Sequence, residues 1–309
     1  MVIIDKIVSY LSSLGVSGNI RPLPRGNWNE NYLVDTGDRK LVLKIYSSGC
    51  EGFRSNSARI EYISLRALER TSLVPRPIHL DGSRTSMDKD VLIYEYVPGE
   101  TLKGFDDAKI PALAKMLSVI HLQDPYPLRK AIKTYASDPK DMIRRLSTAL
   151  EKHRSEDRYA IRLRESLDHA ASMSHMSHPY RSSIIHTDLV PSNIIEYEGS
   201  FFLIDWQSPR IGDPAFDIWA MTSSVFNLWD LGSPMPSSMK EKLIEEYIRL
   251  TGDLTLRSRI RSKELLWLIE LGMYCLQMSS MGRAHVSSGK KGKYEKALRS
   301  ISGSLEAMK

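Results

Sequence analysis

The stretch IIHTDLVPSNIIEYEGSFFLIDW, residues 184 to 206, decides the fold. Two apolar runs with strand-like composition enclose a turn that contains Asp188 and Asn193, and a tight hairpin is predicted around Glu198 and Gly199. The polar side chains of the stretch therefore fall at the ends of short strands. An arrangement of this kind calls for a chemical explanation.

The spacing of three polar residues points to phosphoryl transfer. Asn193 follows Asp188 by five residues, and Asp205 comes twelve residues after that, beyond the predicted hairpin. Phosphoryl transfer needs a carboxylate near the acceptor hydroxyl and oxygen ligands that hold Mg²⁺ against the nucleotide phosphates. An Asp, an Asn and a second Asp at these positions provide those groups.

A lysine and a glutamate near the front of the chain extend the set. Lys44 lies in the strand-like run KLVLKIY, and Glu61 follows 17 residues later in SARIEYISLRALER, where Ile60 and Ile63 belong to a helical pattern. Kinase-like lobes position the α- and β-phosphates with a strand Lys paired with a Glu on the next helix. Lys44 alone is equally compatible with a surface lysine, but the complete set in kinase order favours the functional interpretation.

The composition of the chain changes after Pro98. The first hundred residues alternate short strand-like runs with turns and contain the Glu61 helix, which predicts a small antiparallel sheet with one packed helix. Long helical patterns follow, such as IPALAKMLSVIHLQ and SKELLWLIELGMYCLQM. We therefore predict an N-terminal nucleotide-binding lobe at 1–97 and a C-terminal catalytic and acceptor-binding lobe at 98–309.

Taken together, these motifs resemble a known family. The pattern H-x-D-x-x-x-x-N, followed by IDW and then IGDPAFDIW, looks like the aminoglycoside phosphotransferase and choline kinase group of small-molecule kinases. The likeness covers almost the whole chain. It implies an α+β, bilobal protein-kinase-like fold with a larger, mostly helical C-lobe, and it implies ATP and Mg²⁺ as cofactors.

The resemblance also implies roles for individual residues. Asp188 corresponds to the catalytic aspartate, Asn193 and Asp205 to the Mg²⁺ ligands, and His186 and Asp217 to structural support of the catalytic loop. The residues expected to bind the nucleotide are Gly26, Asn27, Lys44, Glu61, Glu95, Tyr96 and Val97. Of these, Glu95 to Val97 are expected to meet the adenine through backbone groups.

Two features depart from the family pattern. The segment PRGNWNENYLV should cover the nucleotide, yet Gly26 is its single glycine, so phosphate contacts are expected from Asn27, Asn29 and Asn31, with ordinary turn residues as the alternative. The second departure is Thr187, which stands where the group most often has Gly. We interpret it as tolerated variation.

The charge distribution bears on the acceptor. Lys and Arg outnumber Asp and Glu by 15 to 10 in residues 101–186 and by 15 to 11 in residues 206–309. A site for polycationic aminoglycosides should present carboxylates. We therefore expect a sugar-like, neutral or anionic hydroxyl compound, although the acidic pair Glu245 and Glu246 keeps an aminoglycoside open.

Other functions remain open at this level. A kinase acting on a protein or RNA hydroxyl is the alternative, supported by the basic rear half, with nucleic acid an unlikely partner. A non-catalytic nucleotide-binding module disagrees with the intact set of polar residues. No apolar run approaches the roughly 20 residues of a membrane span, and the N-terminus reads as a helix, so a cytoplasmic protein is expected.

Overall fold

The structure is a computed structural model that describes residues 3–23, 29–47, 57–135, 137–152, 157–173, 178–280 and 288–308. Gly26 and Asn27, predicted to contact the nucleotide, lie outside these ranges. Within them the strands, in chain order, are β1 Asn19–Pro22, β2 Glu30–Asp35, β3 Lys40–Ile45, β4 Pro77–Asp81, β5 Val91–Glu95, β6 Glu100–Thr101, β7 Ser183–Ile185, β8 Ile194–Tyr197, β9 Ser200–Leu203 and β10 Arg210–Gly212. The α-helices are α1 Ile3–Ser13, α2 Ser57–Leu68, α3 Ile110–His121, α4 Pro139–Lys152, α5 Arg158–Ser172, α6 Ala215–Thr222, α7 Ser224–Asp230, α8 Ser237–Thr251, α9 Leu256–Ser280 and α10 Ser288–Ala307.

The first of two compact units contains an antiparallel five-stranded sheet. This unit comprises Met1–Leu102, Gln123–Lys133 and Ser192–Pro209. The strand order is β1-β2-β3-β5-β4, so β3 is the central strand. Helix α2 packs against β4 and β5. The predicted small antiparallel sheet with a packed helix is thus confirmed.

The hairpin between β2 and β3 shows why the chain reverses there. Asp35 pairs with Lys40 at the end of the ladder, and the Oδ1 atom of Asp35 accepts a hydrogen bond of 3.1 Å from the backbone N–H of Gly37. Gly37 has a φ of +90°, a conformation that glycine adopts without steric cost. This hairpin fixes the register in which Lys44, on the central strand, pairs with Asn31.

Helix α2 buries part of its apolar pattern together with a carboxylate. Ile60 and Ile63 are only half-buried. The buried positions of α2 recur at helical spacing and include Ala58, Glu61, Leu65 and Leu68. Glu61 is therefore part of the packed stripe of the helix, which is an unusual position for a carboxylate.

A second, three-stranded sheet in this unit carries part of the opening motif. Its order is β6-β8-β9. The loop between β8 and β9 consists of Glu198 and Gly199, with φ values of +48° and +74°, and Tyr197 pairs with Ser200 across it. Two positive φ values in a two-residue loop are typical of a type I′ turn, whose twist matches that of the strands. The predicted tight hairpin is confirmed.

The second compact unit is mostly helical. It comprises Lys103–Leu122, Thr134–Pro191 and Arg210–Lys309. Helix α9 packs against α4, α5, α6 and α10, while α3 packs against α8. Strands β7 and β10 form a short antiparallel pair that leads into the catalytic-loop sequence. Among the described residues, no helix is long and apolar enough to cross a membrane.

Helices α6 and α9 are joined by four charged side chains, which we call the Asp213 cluster: Asp213, Asp253, Arg259 and Lys263. The Nε atom of Arg259 lies 2.9 Å and the Nζ atom of Lys263 lies 2.7 Å from Oδ2 of Asp213. The same guanidinium donates through NH1 to Oδ1 of Asp253 at 2.7 Å. Asp213 and Arg259 are fully buried. Asp213 also accepts from the N–H of Ala215 at 2.9 Å, which satisfies a donor at the start of α6.

Candidate active site

Lys44 lies at the centre of a buried ionic cluster in the first unit. Its Nζ atom is 2.7 Å from Oε2 of Glu61 on α2 and 2.6 Å from Oδ1 of Asp205, which follows β9. We call these three residues the Lys44 cluster. Burial opposes the charged form of Lys44, but the carboxylates of Asp205 and Glu61 outweigh it and raise the pKa of the ammonium group above its ordinary value. Lys44 is therefore a buried cation, not a surface lysine.

Glu61 is held by a second donor that the sequence interpretation missed. The hydroxyl of Tyr46 donates to Oε2 of Glu61 at 2.5 Å. Burial raises the pKa of Glu61, while the charge of Lys44 and the hydrogen bonds from Lys44 and Tyr46 act in the opposite direction. A signal was present in the sequence, because side chains two residues apart on an extended strand point to the same face. Tyr46 follows Lys44 by two residues.

The two predicted metal ligands lie on neighbouring strand ends. The backbone carbonyl of Asn193 accepts from the N–H of Ile204 at 2.9 Å, one pair beyond the register of β8 and β9. Asp205 is the next residue and has a left-handed φ of +66°. Asp and Asn tolerate this conformation better than most residues, but it is sparsely populated and concentrates at functional sites.

The donor set fits Mg²⁺ better than a structural transition metal. Asp205 offers a carboxylate whose side chain is 27% exposed, and Asn193 offers an amide oxygen. In the described ranges no three His, Cys, Asp or Glu side chains are grouped to hold a metal ion. Mg²⁺ needs only one or two protein carboxylates, since phosphates and waters complete its octahedron. These residues therefore suit a metal that arrives with a nucleotide.

Two further amide side chains are linked to Asp205. The Nε2 atom of Gln207 donates to Oδ2 of Asp205 at 3.0 Å, and the Nδ2 atom of Asn29 donates to Oε1 of Gln207 at 3.1 Å. The sequence interpretation had assigned Asn29 to phosphate contacts and had not considered Gln207. Both amides are buried. Their separation of 178 residues explains why no local pattern indicated the pair.

In the second unit, Asp217 is bonded to the backbone at the start of the predicted catalytic loop. Its Oδ2 atom accepts from the N–H of His186 at 2.7 Å, and its Oδ1 atom accepts from the N–H of Thr187 at 3.0 Å. Thr187 has a φ of +68°, an unfavourable angle for a β-branched residue. The fully buried carboxylate of Asp217 thus holds two successive amides, of which the second belongs to a strained residue.

A histidine and a tyrosine complete the surroundings of Asp217. The Nε2 atom of His121 lies 3.2 Å from Oδ2 of Asp217, and its Nδ1 atom lies 2.9 Å from the hydroxyl of Tyr247. All three side chains are buried. Sequence reasoning missed His121 and Tyr247, which lie on α3 and α8 and meet Asp217 only through helix packing.

Asp188, the predicted catalytic residue, directly follows Thr187. It is exposed, and its N–H donates to Nδ1 of His186 at 3.3 Å. That nitrogen must carry a lone pair to accept, so in a neutral His186 the proton resides on Nε2. His186 itself is buried. Of the predicted residues in this unit, the structure brings His186 and Asp217 together around the loop that presents Asp188.

The predicted adenine-contacting segment begins at Glu95, the last residue of β5. The N–H of Glu95 donates to the carbonyl of Arg76, and the N–H of Tyr96 donates to the carbonyl of Lys40, each at 2.9 Å. The side chain of Glu95 forms an ion pair with Arg76. Both amides thus continue the hydrogen bonding of the sheet into this segment.

Comparisons with known proteins support the resemblance. Spectinomycin phosphotransferase in complex with ADP and spectinomycin is 17% identical, with 98% of each chain covered and a TM-score of 0.67. Aminoglycoside phosphotransferase APH(4)-Ia, in a ternary complex with AMP-PNP and hygromycin B, is 15% identical, with 96% of this chain and 99% of that chain covered and a TM-score of 0.62. Choline kinase LicA from Streptococcus pneumoniae is 19% identical, with 97% and 98% covered and a TM-score of 0.59.

These structures confirm the predicted α+β protein-kinase-like fold. No curated protein sequence matches the chain significantly. A family model described as "phosphotransferase enzyme family" matches residues 19–258, which is most of the chain and includes every residue of the Lys44 cluster and the catalytic loop. The predicted family is confirmed, and the chain belongs to the phosphotransferase enzyme family.

Proposed function

We propose that this protein transfers the γ-phosphoryl group of ATP to a hydroxyl group of a small molecule, with Mg²⁺ as the metal cofactor. The observation that carries the proposal is the Lys44 cluster, in which a buried strand lysine meets a helix glutamate and the Asp that follows β9. The similar structures include a complex with ADP and spectinomycin and a complex with AMP-PNP and hygromycin B, which supports both halves of the proposal.

On this proposal Lys44 binds the α- and β-phosphates. Its ammonium group carries the charge that the phosphate oxygens need, and Glu61 with Tyr46 fixes its direction. In the adenine-contacting segment, the N–H groups of Glu95 and Tyr96 already donate within the sheet. We therefore assign the backbone donor to adenine to Val97. Gly26 and Asn27 remain proposed phosphate contacts.

Asp205 and Asn193 are the proposed metal ligands. Bound Mg²⁺ supplies positive charge that neutralises the phosphate oxygens as negative charge develops on the leaving group. The contribution of the protein is to fix a carboxylate and an amide oxygen at two adjacent strand ends. The left-handed backbone at Asp205 supports an assignment to function, because strain of this kind persists where the geometry is required.

Asp188 is the proposed general base. An exposed carboxylate on a loop can accept or orient the proton of an acceptor hydroxyl, and its removal typically lowers the rate by about 10²- to 10⁴-fold. Asp217 keeps the loop backbone in its conformation through the amides of His186 and Thr187. His186 in turn accepts from the amide of Asp188, so its role is to orient the loop.

The acceptor is proposed to be a neutral or anionic hydroxyl compound. The acidic residues that kept an aminoglycoside open are paired with arginines on the same helix or the next one. Glu246 lies 2.7 Å from Arg249, and Glu245 lies 3.4 Å from Arg257. Carboxylates already neutralised in this way attract a polycation less strongly.

The test is a screen of sugars, hydroxy acids, amino alcohols and aminoglycosides for acceptor-stimulated ADP release at fixed ATP and Mg²⁺. The isosteric variant Asp188→Asn serves as the control, since it should bind ATP like the parent and release about 10²- to 10⁴-fold less ADP with the best acceptor. Near-parental turnover by that variant removes Asp188 from the mechanism. A parent protein that fails to bind ATP contradicts the proposed function.

A kinase of a macromolecule is the second candidate. Its support is the excess of basic residues in 101–186 and 206–309. RNA or a protein substrate should then stimulate ADP release more than any small molecule in the same screen. For RNA, binding should also weaken steeply as salt rises, because counterions are released when lysines and arginines neutralise phosphates.

A further inference from the structure

A continuous chain of hydrogen bonds in the first unit ends on Asp205. The N–H of Ser47 donates to Oδ1 of Asn29 at 3.3 Å, Nδ2 of Asn29 donates to Oε1 of Gln207 at 3.1 Å, and Nε2 of Gln207 donates to Oδ2 of Asp205 at 3.0 Å. The other carboxylate oxygen of Asp205 accepts from Lys44. Asp205 therefore receives a donor on each oxygen.

The direction of this chain is set by the backbone. An N–H group can only donate, so Oδ1 of Asn29 must face Ser47 and Nδ2 must face Gln207. The oxygen of Gln207 must then accept from Asn29, which turns its Nε2 toward the carboxylate. If either side-chain amide were flipped, a donor would face a donor or an acceptor would face an acceptor. Hydrogen-bonding chemistry thus selects this orientation of Asn29 and Gln207.

Burial makes the chain costly to break. Asn29 and Gln207 are each 8% exposed. A buried amide that loses its partner is destabilising, so each side chain favours the other in its present orientation. The series of hydrogen bonds ends on a carboxylate oxygen of Asp205, whose orientation it therefore fixes.

We propose that Asn29 and Gln207 are positioning residues that orient the Asp205 carboxylate for the metal that accompanies the nucleotide. This inference rests on the proposed function, since it assigns the metal to Asp205. Lys44 on Oδ1 and Gln207 on Oδ2 together fix the rotation of the carboxylate about its side-chain bond. Partners of this type orient metal ligands, and their removal typically costs about 10- to 100-fold in metal affinity.

This series of hydrogen bonds also connects two segments that are both proposed to bind the nucleotide or its metal. Asn29 lies within PRGNWNENYLV, the segment expected to cover the nucleotide, and Gln207 directly follows the IDW motif. A shift of Asn29 would therefore reach Asp205 through two buried amides.

The experiment is a calorimetric titration of the full-length protein with ATP, once with Mg²⁺ and once with a chelator. The quantity of interest is the factor by which Mg²⁺ tightens ATP binding. Gln207→Met keeps the length and volume of the side chain but removes both the donor to Asp205 and the acceptor of Asn29. We expect this factor to fall about tenfold with metal-free ATP affinity close to that of the parent, while the midpoint of thermal unfolding falls because Asn29 loses a buried partner.

A double-mutant cycle separates a relay from two independent effects. Asn29→Ala should lower the same factor by a smaller amount, because Gln207 remains but can reorient. The double variant should be no worse than Gln207→Met alone, since both residues act through one hydrogen bond on Asp205. Asn227→Ala is the matched control, as it removes a fully buried amide of the second unit that donates to the carbonyl of Met221. It should lower stability without changing the Mg²⁺ factor.

The outcomes distinguish the inference from the function on which it rests. If Mg²⁺ does not change the ATP affinity of the parent protein, both the proposed function and the positioning role are wrong. A parent that responds to Mg²⁺, with a Gln207→Met variant that responds equally well, overturns the positioning role alone. Fully additive losses in the double variant also overturn it, because they assign Asn29 a separate effect.

Discussion

The two compact units each bury a cluster of charged side chains, and the clusters differ in charge balance. The Lys44 cluster contains one cationic and two anionic side chains. The Asp213 cluster contains two of each sign. Each cluster contains a cationic side chain that is almost fully buried, Lys44 in one and Arg259 in the other, so burial alone does not distinguish the clusters.

The difference in balance indicates what each cluster is for. Buried charge is costly unless it is paired, and a balanced cluster satisfies its members internally. The Asp213 cluster does so, and it connects α6 to α9 as a structural joint. The Lys44 cluster carries an excess of negative charge that a divalent cation would offset. A buried cluster with unequal charges is thus a better indicator of a binding site than a buried cluster as such.

The largest expected effect comes from neutralising Asp205, which should affect activity far more than stability. Asp205→Asn removes the negative excess of the Lys44 cluster, so the free energy of unfolding should change by no more than about 1 kcal/mol. Phosphoryl transfer should fall by about 10³-fold, because a metal ion contributes several kcal/mol to the transition state. ADP release and chemical unfolding measure the two effects. Turnover near that of the parent would mean that Asp205 is not a metal ligand.

The Asp213 cluster should respond in the opposite way. Arg259→Met leaves Asp213 with one cationic partner and should lower the free energy of unfolding by about 3–5 kcal/mol. The folded fraction should keep its affinity for ATP. Arg257→Met is the matched control on the same helix, because Arg257 pairs with Glu241 and Glu245 nearer to solvent. Its effect should stay below about 1 kcal/mol.

A loss of ATP affinity in Arg259→Met at temperatures where the protein is fully folded would contradict the structural role. Equal destabilisation by Arg259→Met and Arg257→Met would show that burial of the Asp213 cluster has no energetic consequence. Urea unfolding followed by circular dichroism and ATP titration of the same samples give both readouts.

The Tyr46 hydroxyl allows a test of how much one hydrogen bond to Glu61 contributes to ATP binding at the Lys44 cluster. Tyr46→Phe keeps the ring and removes the hydroxyl that donates to Glu61. A hydrogen bond to a charged group is worth about 1.5 kcal/mol, so ATP affinity in the presence of Mg²⁺ should weaken about tenfold. Tyr32→Phe is the control, since Tyr32 is buried in the same sheet and its hydroxyl donates to Glu30 at 2.9 Å. A similar loss in both variants would remove the special role of Tyr46.

The smallest expected effect concerns the acceptor. If balanced carboxylates attract cations weakly, the Arg-paired Glu245 and Glu246 give an aminoglycoside little advantage. We expect kcat/KM for the best aminoglycoside to lie at least about fivefold below that of the best neutral or anionic hydroxyl compound, which corresponds to about 1 kcal/mol. An aminoglycoside that exceeds every other compound would show that charge balance does not predict the acceptor.

Motif spacing was enough to predict the charged residues of the candidate site. Lys44, Glu61 and Asp205 meet in the structure as kinase order suggested, and Asp217 contacts the catalytic loop. Their catalytic and binding roles stay predictions.

The supporting residues could not be found in this way. The contacts of Gln207 with Asn29, and of His121 with Asp217, span 178 and 96 residues and depend on tertiary packing. Amides and histidines are also common in ordinary turns and cores, so their type carries little information. The helical pattern of α2 also did not reveal which of its apolar residues are buried, since Leu65 and Leu68 are buried while Ile60 and Ile63 are half-buried.

The predicted division into 1–97 and 98–309 stays a prediction. Contacts group the β8–β9 hairpin with the front of the chain, through pairing of β6 with β8 and a hydrogen bond from Leu203 to the carbonyl of Leu73. Composition along the chain cannot reveal a unit built from separate segments. The hairpin that the predicted metal ligands flank is the segment for which this matters most.

The backbone angle at Thr187 has a consequence for recognising relatives of this protein. Thr187 adopts a left-handed φ of +68°, and the Asp217 carboxylate stabilises that conformation through its amide. Glycine reaches the same angle without strain. A search pattern that demands glycine at this position rejects the present chain, whereas one that demands the conformation accepts it. Loops of this kind can share a backbone angle at this position even where the residue that adopts it differs.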